Sequence, residues 1–228
     1  MALLFASCHI NIGDGIDGNG KVTTEKRDVK GNYTKVEVDR GLNVEVQQSP
    51  SFSVEVEADE NLQEHISVTV ENGTLVITTD ESIDECESKT IRVKMPTITG
   101  LETTSGASIT GQNTFLGNNL YVKTSSGSEI DVEVEIDAVD CESTSGSSIT
   151  IKGKALSLTT SSSSGSEIDA RDLMVNDVTS ESTSGSATEI HPIESLRAKA
   201  SSGGAIDYNH SPKTITKEES SGGSVSKE

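Results

Sequence analysis

Aromatic residues make up only 3% of this 228-residue sequence, Trp is absent, and hydrophobic residues of all kinds reach 32%. Such a composition disfavours a thick globular core, so the interior must be built from Val, Ile, Leu and small residues. Basic charge is also scarce: 18 Lys and Arg stand against 37 Asp and Glu, a formal net charge of -19. No nucleic acid is expected as a partner, because phosphate recognition needs a basic stripe, and an anionic membrane surface would repel the chain. No run approaches the eighteen or so apolar residues of a spanning helix. The three Cys (Cys8, Cys86, Cys141) are too few for a disulfide framework and form no Cys-x-x-Cys, and the four His (His9, His65, His191, His210) show no ligand spacing. Two unpaired thiols and no metal or cofactor are the expectation.

What is present is repetition. A Ser-Gly pair recurs at Gly106, Gly127, Gly146, Gly165, Gly185, Gly203 and Gly222, spaced by 21, 19, 19, 20, 18 and 19 residues. Seven residues before each Gly of the last six copies stand Leu120, Val139, Leu158, Val178, Leu196 and Ile215; three residues after the Gly, in every copy but that at Gly185, stand Ile109, Ile130, Ile149, Ile168, Ile206 and Val225. These positions share one parity, as the buried face of a strand requires. The corner itself holds only small residues, where Gly permits a bend with positive φ and stacked Ser hydroxyls can bond along the ladder. The period is too short for helical repeats and lacks the Leu/Asn pattern of leucine-rich repeats. It predicts an all-β fold: a parallel β-helix, right-handed and single-stranded, of about 19–20 residues per coil over residues 101–228, with coils about 4.8 Å apart.

The outward positions fit that register. Two residues after the Gly the copies read Ser108, Glu129, Ser148, Glu167, and four after it Thr110, Asp131, Thr150, Asp169 and later Asp207. Acidic rungs alternating with neutral ones keep like charges about 10 Å apart. Glu129, Asp131, Glu167, Asp169 and Asp207 are the candidate binding residues. The copy at Gly185 breaks step, with Ile190 five residues on and Pro192 following, which predicts a bulge or loop. Residues 21–100 form a less regular β region, with a helical turn over Asp59–His65 and a hairpin on Asn72-Gly73 that can cap the first rung. Residues 220–228 read as a last coil or cap, and exposed ends suit pairing into a homo-oligomer. Met1-Ala-Leu-Leu-Phe-Ala-Ser-Cys8 reads as the end of a bacterial lipoprotein signal, with Cys8 as the lipid attachment site and residues 9–20 as a tether; the other reading is a buried strand with an ordinary Cys.

Gly18-Asn-Gly-Lys-Val-Thr-Thr-Glu-Lys-Arg-Asp-Val29, Tyr33-Thr-Lys-Val-Glu-Val38, Val54–Leu62, Asn72-Gly-Thr-Leu-Val-Ile77 and the Ser-Gly-Ser/Ala-x-Ile repeats together resemble the "putative autotransporter adhesin, head GIN" domain family. The resemblance implies a secreted or outer-membrane-anchored bacterial lipoprotein built as a β-helix and labelled an adhesin, and it supplies no catalytic residues. A non-enzymatic adhesin binding a glycan or a host or cell-surface protein is the leading expectation, with the lipid as its only membrane contact. A structural envelope scaffold is the alternative, followed by a carbohydrate-active enzyme. The last would want aromatic platforms and an acidic pair or metal cluster, and Asp131 and Asp169 stand near 10 Å, the wide limit for an inverting pair. Gly127-Ser-Glu-Ile-Asp131 does not match the calcium-binding Gly-Gly-x-Gly-x-Asp nonapeptide.

Overall fold

The computed structural model describes residues 15–228; Cys8 and the apolar run before it lie outside the described residues. The regular half is a β-solenoid of about 7 turns. Its strands are β8 (Gly100–Thr103), β9 (Ser108–Gly111), β10 (Phe115–Thr124), β11 (Glu129–Thr144), β12 (Ser148–Ser163), β13 (Glu167–Thr183), β14 (Ala187–Ser201), β15 (Ala205–Tyr208), β16 (Thr214–Glu219) and β17 (Ser224–Lys227). Every ladder between them is parallel, and the expected inward residues meet in register: Ile109, Ile130, Ile149 and Ile168 follow one another up the stack. All four are buried, as are Leu120, Val139, Leu158, Val178 and Leu196, so each large one contributes about 1.5–3 kcal/mol of burial. Ile215, the last member of the second row, is 43% exposed because no further coil covers it among the described residues.

The corner is more constrained than a glycine bend. Both residues of each Ser-Gly pair take positive φ, from 49 to 58° at Ser105, Ser126, Ser145, Ser164, Ser184, Ser202 and Ser221. A left-handed non-glycine residue costs about 1–2 kcal/mol, so each corner needs compensation. Part of it is a ladder in which the Gly amide donates to the Ser carbonyl of the next coil, at 3.1 Å for Gly106 to Ser126 and 3.2 Å for Gly146 to Ser164. The rest comes from the residue after the Gly. The Ser147 hydroxyl donates to the Thr144 carbonyl (2.7 Å) and accepts from the Thr144 amide (3.2 Å), bracing the corner from inside. Ser128 and Ser186 do the same at their corners. These buried hydroxyls also meet their neighbours, Ser143 with Ser147 at 3.0 Å and Ser182 with Ser186 at 2.8 Å, so the polar seam behind the corner is satisfied.

Thr188 explains the copy that seemed out of step. It occupies the inward position of Ile168 and Ile206, fully buried, and meets the Ser162 hydroxyl at 2.8 Å. The irregularity comes two residues later, where the pairing of Ala170 with Ile190 jumps to that of Met174 with His191. A second shift separates Thr150 from Gly153. Gly153 has φ 114°, and a Cβ there would stand 2.0 Å from the Val134 carbonyl oxygen, so only glycine fits this close crossing.

Chain order and stacking order part company in the N-terminal region. Here β2 (Lys35–Val38) and β3 (Asn43–Gln48) flank Arg40-Gly41, which carries the same pair of positive φ values (54° and 71°). The Gly41 amide donates to the Ser105 carbonyl at 3.0 Å, and Val44 pairs with Ile109, so this is one more coil, seated on β8 and β9. Its other side is covered by β6 (Thr74–Thr79) on β2 and β7 (Lys89–Met95) on β3, both parallel. The antiparallel strands β1 (Val22–Lys26), β4 (Ser53–Asp59) and β5 (Ile66–Glu71) lie outermost, β4 on β7, β1 on β4, and β5 on β6 through the expected hairpin at Asn72-Gly73. The expected helical turn is a 3-10 turn at Glu60–Leu62. Asp59, fully buried, binds the cap together by accepting the amides of Gly20 (2.8 Å), Glu87 (3.1 Å) and Ser88 (3.1 Å). The flexible tether expected over 9–20 does not extend through Ile16–Gly20: Ile16 donates to the Ser82 carbonyl (2.7 Å) and Gly18 to that of Glu85 (2.7 Å). Backbone bonds of this kind hold the segment against the loop at residues 82–85.

Candidate functional site

Strand alternation places the five candidate carboxylates on the outer face of the strands that leave the corners. Glu129 and Glu167 are exposed, and Asp131, Asp169 and Asp207 are half-buried. The registers Glu129–Ser148–Glu167 and Asp131–Thr150–Asp169 reproduce the expected alternation. Beyond Asp169 it fails: Glu189 pairs with Asp169 on one side and with Asp207 on the other, so three carboxylates occupy successive rungs. Charges this close repel unless a cation is supplied. Arg171, from the bulged stretch of β13, supplies it, its Nε donating to Asp169 Oδ1 at 2.9 Å while its other arm contacts Glu189. Desolvation pushes the Glu189 carboxyl above the usual range, an effect the Arg171 charge opposes, and the hydrogen bond to Asp169 raises the guanidinium. Ser226 adds a bond to Asp207 at 2.5 Å. Asp169, Glu189 and Asp207 are thus engaged within the fold, whereas Glu129, Asp131 and Glu167 make no such bond.

The face entering the corners is also paired, Lys123 with Glu142 (3.4 Å) and Lys199 with Glu181 (2.7 Å). Tyr121 donates to Glu142 at 2.8 Å, and burial with that bond raises its phenol strongly. Tyr208 points inward, stacked on the buried Ile190, and is 8% exposed. Cys86 and Cys141 are unpaired, and burial pushes both thiols up. Among the described residues no three His, Cys, Asp or Glu side chains gather as a metal would need.

The remaining side of the coil carries a feature that strict apolar/polar alternation conceals. Leu156 and Met174 are 56% and 42% exposed, and with Ala155, Ile136 and Ile193 they line an open groove of about 500 Å³. Glu135, Asp137 and Lys154 rim it. The available signal was a doubled apolar step: Ala155-Leu156, Leu173-Met174 and Pro192-Ile193 each place an apolar residue out of phase with the alternation. Where the chain bends between two sides of the coil, one member turns in and the other out; Leu173 and Pro192 are buried while Met174 and Ile193 face the groove.

The family model described as "Putative auto-transporter adhesin, head GIN domain" matches residues 32–212. The chain belongs to this family. Among solved structures similar to this head GIN chain, a "putative adhesin" from Bacteroides fragilis NCTC 9343 superposes with a TM-score of 0.86 at 19% identity, over 94% of this chain and 100% of that one. Another "putative adhesin", from Parabacteroides merdae ATCC 43184, gives 0.74 at 20% identity over 93% and 98%. A "Putative lipid binding protein" from Parabacteroides distasonis ATCC 8503 gives 0.73 at 20% identity over 93% and 99%. At these identities the likeness is one of fold. No curated protein matches the chain, and no helix among the described residues is long and apolar enough to cross a membrane.

Proposed function

We propose that this head GIN chain is a non-enzymatic binding protein of the bacterial cell surface, anchored through lipid on Cys8, that grips a protein partner with the groove on the third side of its solenoid. The observation that carries this reading is the cluster of Leu156, Met174 and Ile193 at one surface groove, on an exterior of mostly hydroxyls and charges whose other exposed large apolar side chains among the described residues are Val22, Phe52, Leu116 and Ile215. Exposed apolar patches rimmed by polar groups are a mark of interaction sites. Aliphatic side chains and an adaptable thioether suit apolar side chains of a partner, and a sugar would call for aromatic platforms, which the groove lining lacks. The relative described as lipid binding supplies a second reading, an acyl chain laid along the same groove.

A screen of the soluble domain against cell-surface and matrix proteins, a glycan array and lipid vesicles tests these readings, with Leu156→Asp/Met174→Asp and Asp131→Asn/Asp169→Asn variants in parallel. Protein binding lost only in the groove variant supports the proposal. Loss only in the carboxylate variant moves the site to the acidic column, and vesicle binding lost in the groove variant favours the acyl chain. No binding in any arm favours a structural scaffold in the envelope.

A further inference from the structure

The last coil departs from every coil beneath it at its inward positions. Lys217, Glu219 and Lys227 are stacked on Ala198, Ala200 and Tyr208, all of them buried. Charges are therefore placed where the solenoid elsewhere carries methyl groups and hydroxyls. Two of them do something specific. In a parallel ladder the amide and carbonyl of one residue point to the same neighbour, and those of the next residue to the opposite one. Ser224 and Glu228 donate back to Gly204 (3.0 Å) and Tyr208 (3.2 Å), so the Val225 amide and carbonyl face away from the stack, on the free edge of β17. Glu219 Oε1 accepts the Val225 amide at 2.7 Å, and Lys217 Nζ donates to the Val225 carbonyl at 2.8 Å. The Lys217 ammonium also lies 4.7 Å from the centre of the Tyr208 ring, closing the apolar interior.

We propose that Lys217 and Glu219 form a side-chain latch that occupies the edge bonds a next strand would make, and so keeps this end from pairing with the same end of a second copy of the chain. An open strand edge is a template for association, and inward-pointing charge is one way to blunt it. The partner follows from the geometry: β16 and β17 contain no proline or bulge, and the complement of a Ser-Gly coil throughout this solenoid is another Ser-Gly coil. Two such ends related by a two-fold axis would meet strand edge to strand edge.

The test replaces the latch with the residues of an interior coil, Lys217→Val and Glu219→Thr, after Val122 and Thr124. Light scattering on a size-exclusion column should show the variant leaving the 24.0 kDa monomer for twice that mass or more while the parent stays monomeric. A variant with the parent's circular dichroism that remains monomeric at several hundred micromolar overturns the proposal, as does a parent that already dimerises through this end. Amide exchange on the parent reads the latch without any variant. Val225 should be protected relative to Lys227, whose amide lies on the same free edge, and equal rates for the two would overturn the latch itself.

Discussion

Ser147→Ala isolates one hydroxyl of the polar seam. The Cβ is retained, and Ala107 occupies the same place in the corner at Gly106, so the shape is accommodated. What disappears is a group 2% exposed that bonds both polar atoms of the Thr144 backbone and lies 3.0 Å from the hydroxyls of Ser143 and Thr124. One amide loses its partner inside a corner that already carries a left-handed serine. An unsatisfied buried polar group costs about 1–3 kcal/mol. For a chain of this length that corresponds to a melting temperature lower by about 2–12 °C. Ser148→Ala, one residue on, alters a half-buried hydroxyl on the outer face and should stay within about 0.5 kcal/mol of the parent. Denaturant titrations of the two variants with equal m-values measure the difference. If Ser147→Ala matches Ser148→Ala, the hydroxyl seam does not stabilise the corners and the account of the repeat fails.

Other expectations follow from the same geometry. Ile149→Ala should cost about 2–5 kcal/mol by opening a cavity between Ile130 and Ile168, and Ile149→Asp should unfold the middle coils; a parent-like cooperative melt for the Asp variant would refute the register. Because desolvation raises the Glu189 carboxyl in the folded state, folding binds a proton more tightly there, and this contribution favours the fold at low pH and fades as pH rises from the unfolded value through the folded one. Arg171→Ala should raise the Glu189 carboxyl further and steepen that loss, read by NMR titration and by melts at pH 4 to 7; an unmoved Glu189 would discount the pairing. Glu57 has the opposite sign, since its hydrogen bond to Arg92 lowers it, so its contribution is lost as pH falls, and Arg92→Ala should bring it back toward an ordinary glutamate. The buried Cys141 should react with a thiol reagent only when the solenoid unfolds, after the half-buried Cys86.

The solenoid was legible because its signal is repeated: one inward row of Ile and one of Leu or Val, each confirmed by its neighbours, fix period, register and face together. The Asn72-Gly73 hairpin was legible because its turn chemistry is local. The coil at Arg40-Gly41 was not, because it has Arg in place of Ser and its ladder partners lie far off, as Asn43 and Ser108 do at 65 residues. Thr188 was not recognised as an inward residue for a related reason. It replaces an Ile with a residue whose polarity is answered by Ser162 from another coil, a contact invisible along the chain. Of the candidate carboxylates, the sequence placed all five on one face but omitted Glu189, and with it the role of Arg171. The groove arises at bends between sides of the coil, where strict alternation is the wrong guide, and the latch required asking what charged residues do at inward positions.

The placement of the Arg40-Gly41 coil between strands made later also sets an order of events during synthesis. As β2 and β3 emerge they have no parallel neighbour, since β6 and β7 on one side and β8 and β9 on the other are still untranslated. The antiparallel pairs β1–β4 and β5–β6 can form early, but the seam with the rest of the molecule waits for residues up to about Gly111. Nucleation is then favoured among the downstream coils, whose partners lie only one repeat apart, and long-range closure comes last. A ribosome stalled before Ser108 should carry a nascent chain whose first coil is still open to protease, and protection of that coil should appear only in chains long enough for the downstream coils from Phe115 onward to have emerged.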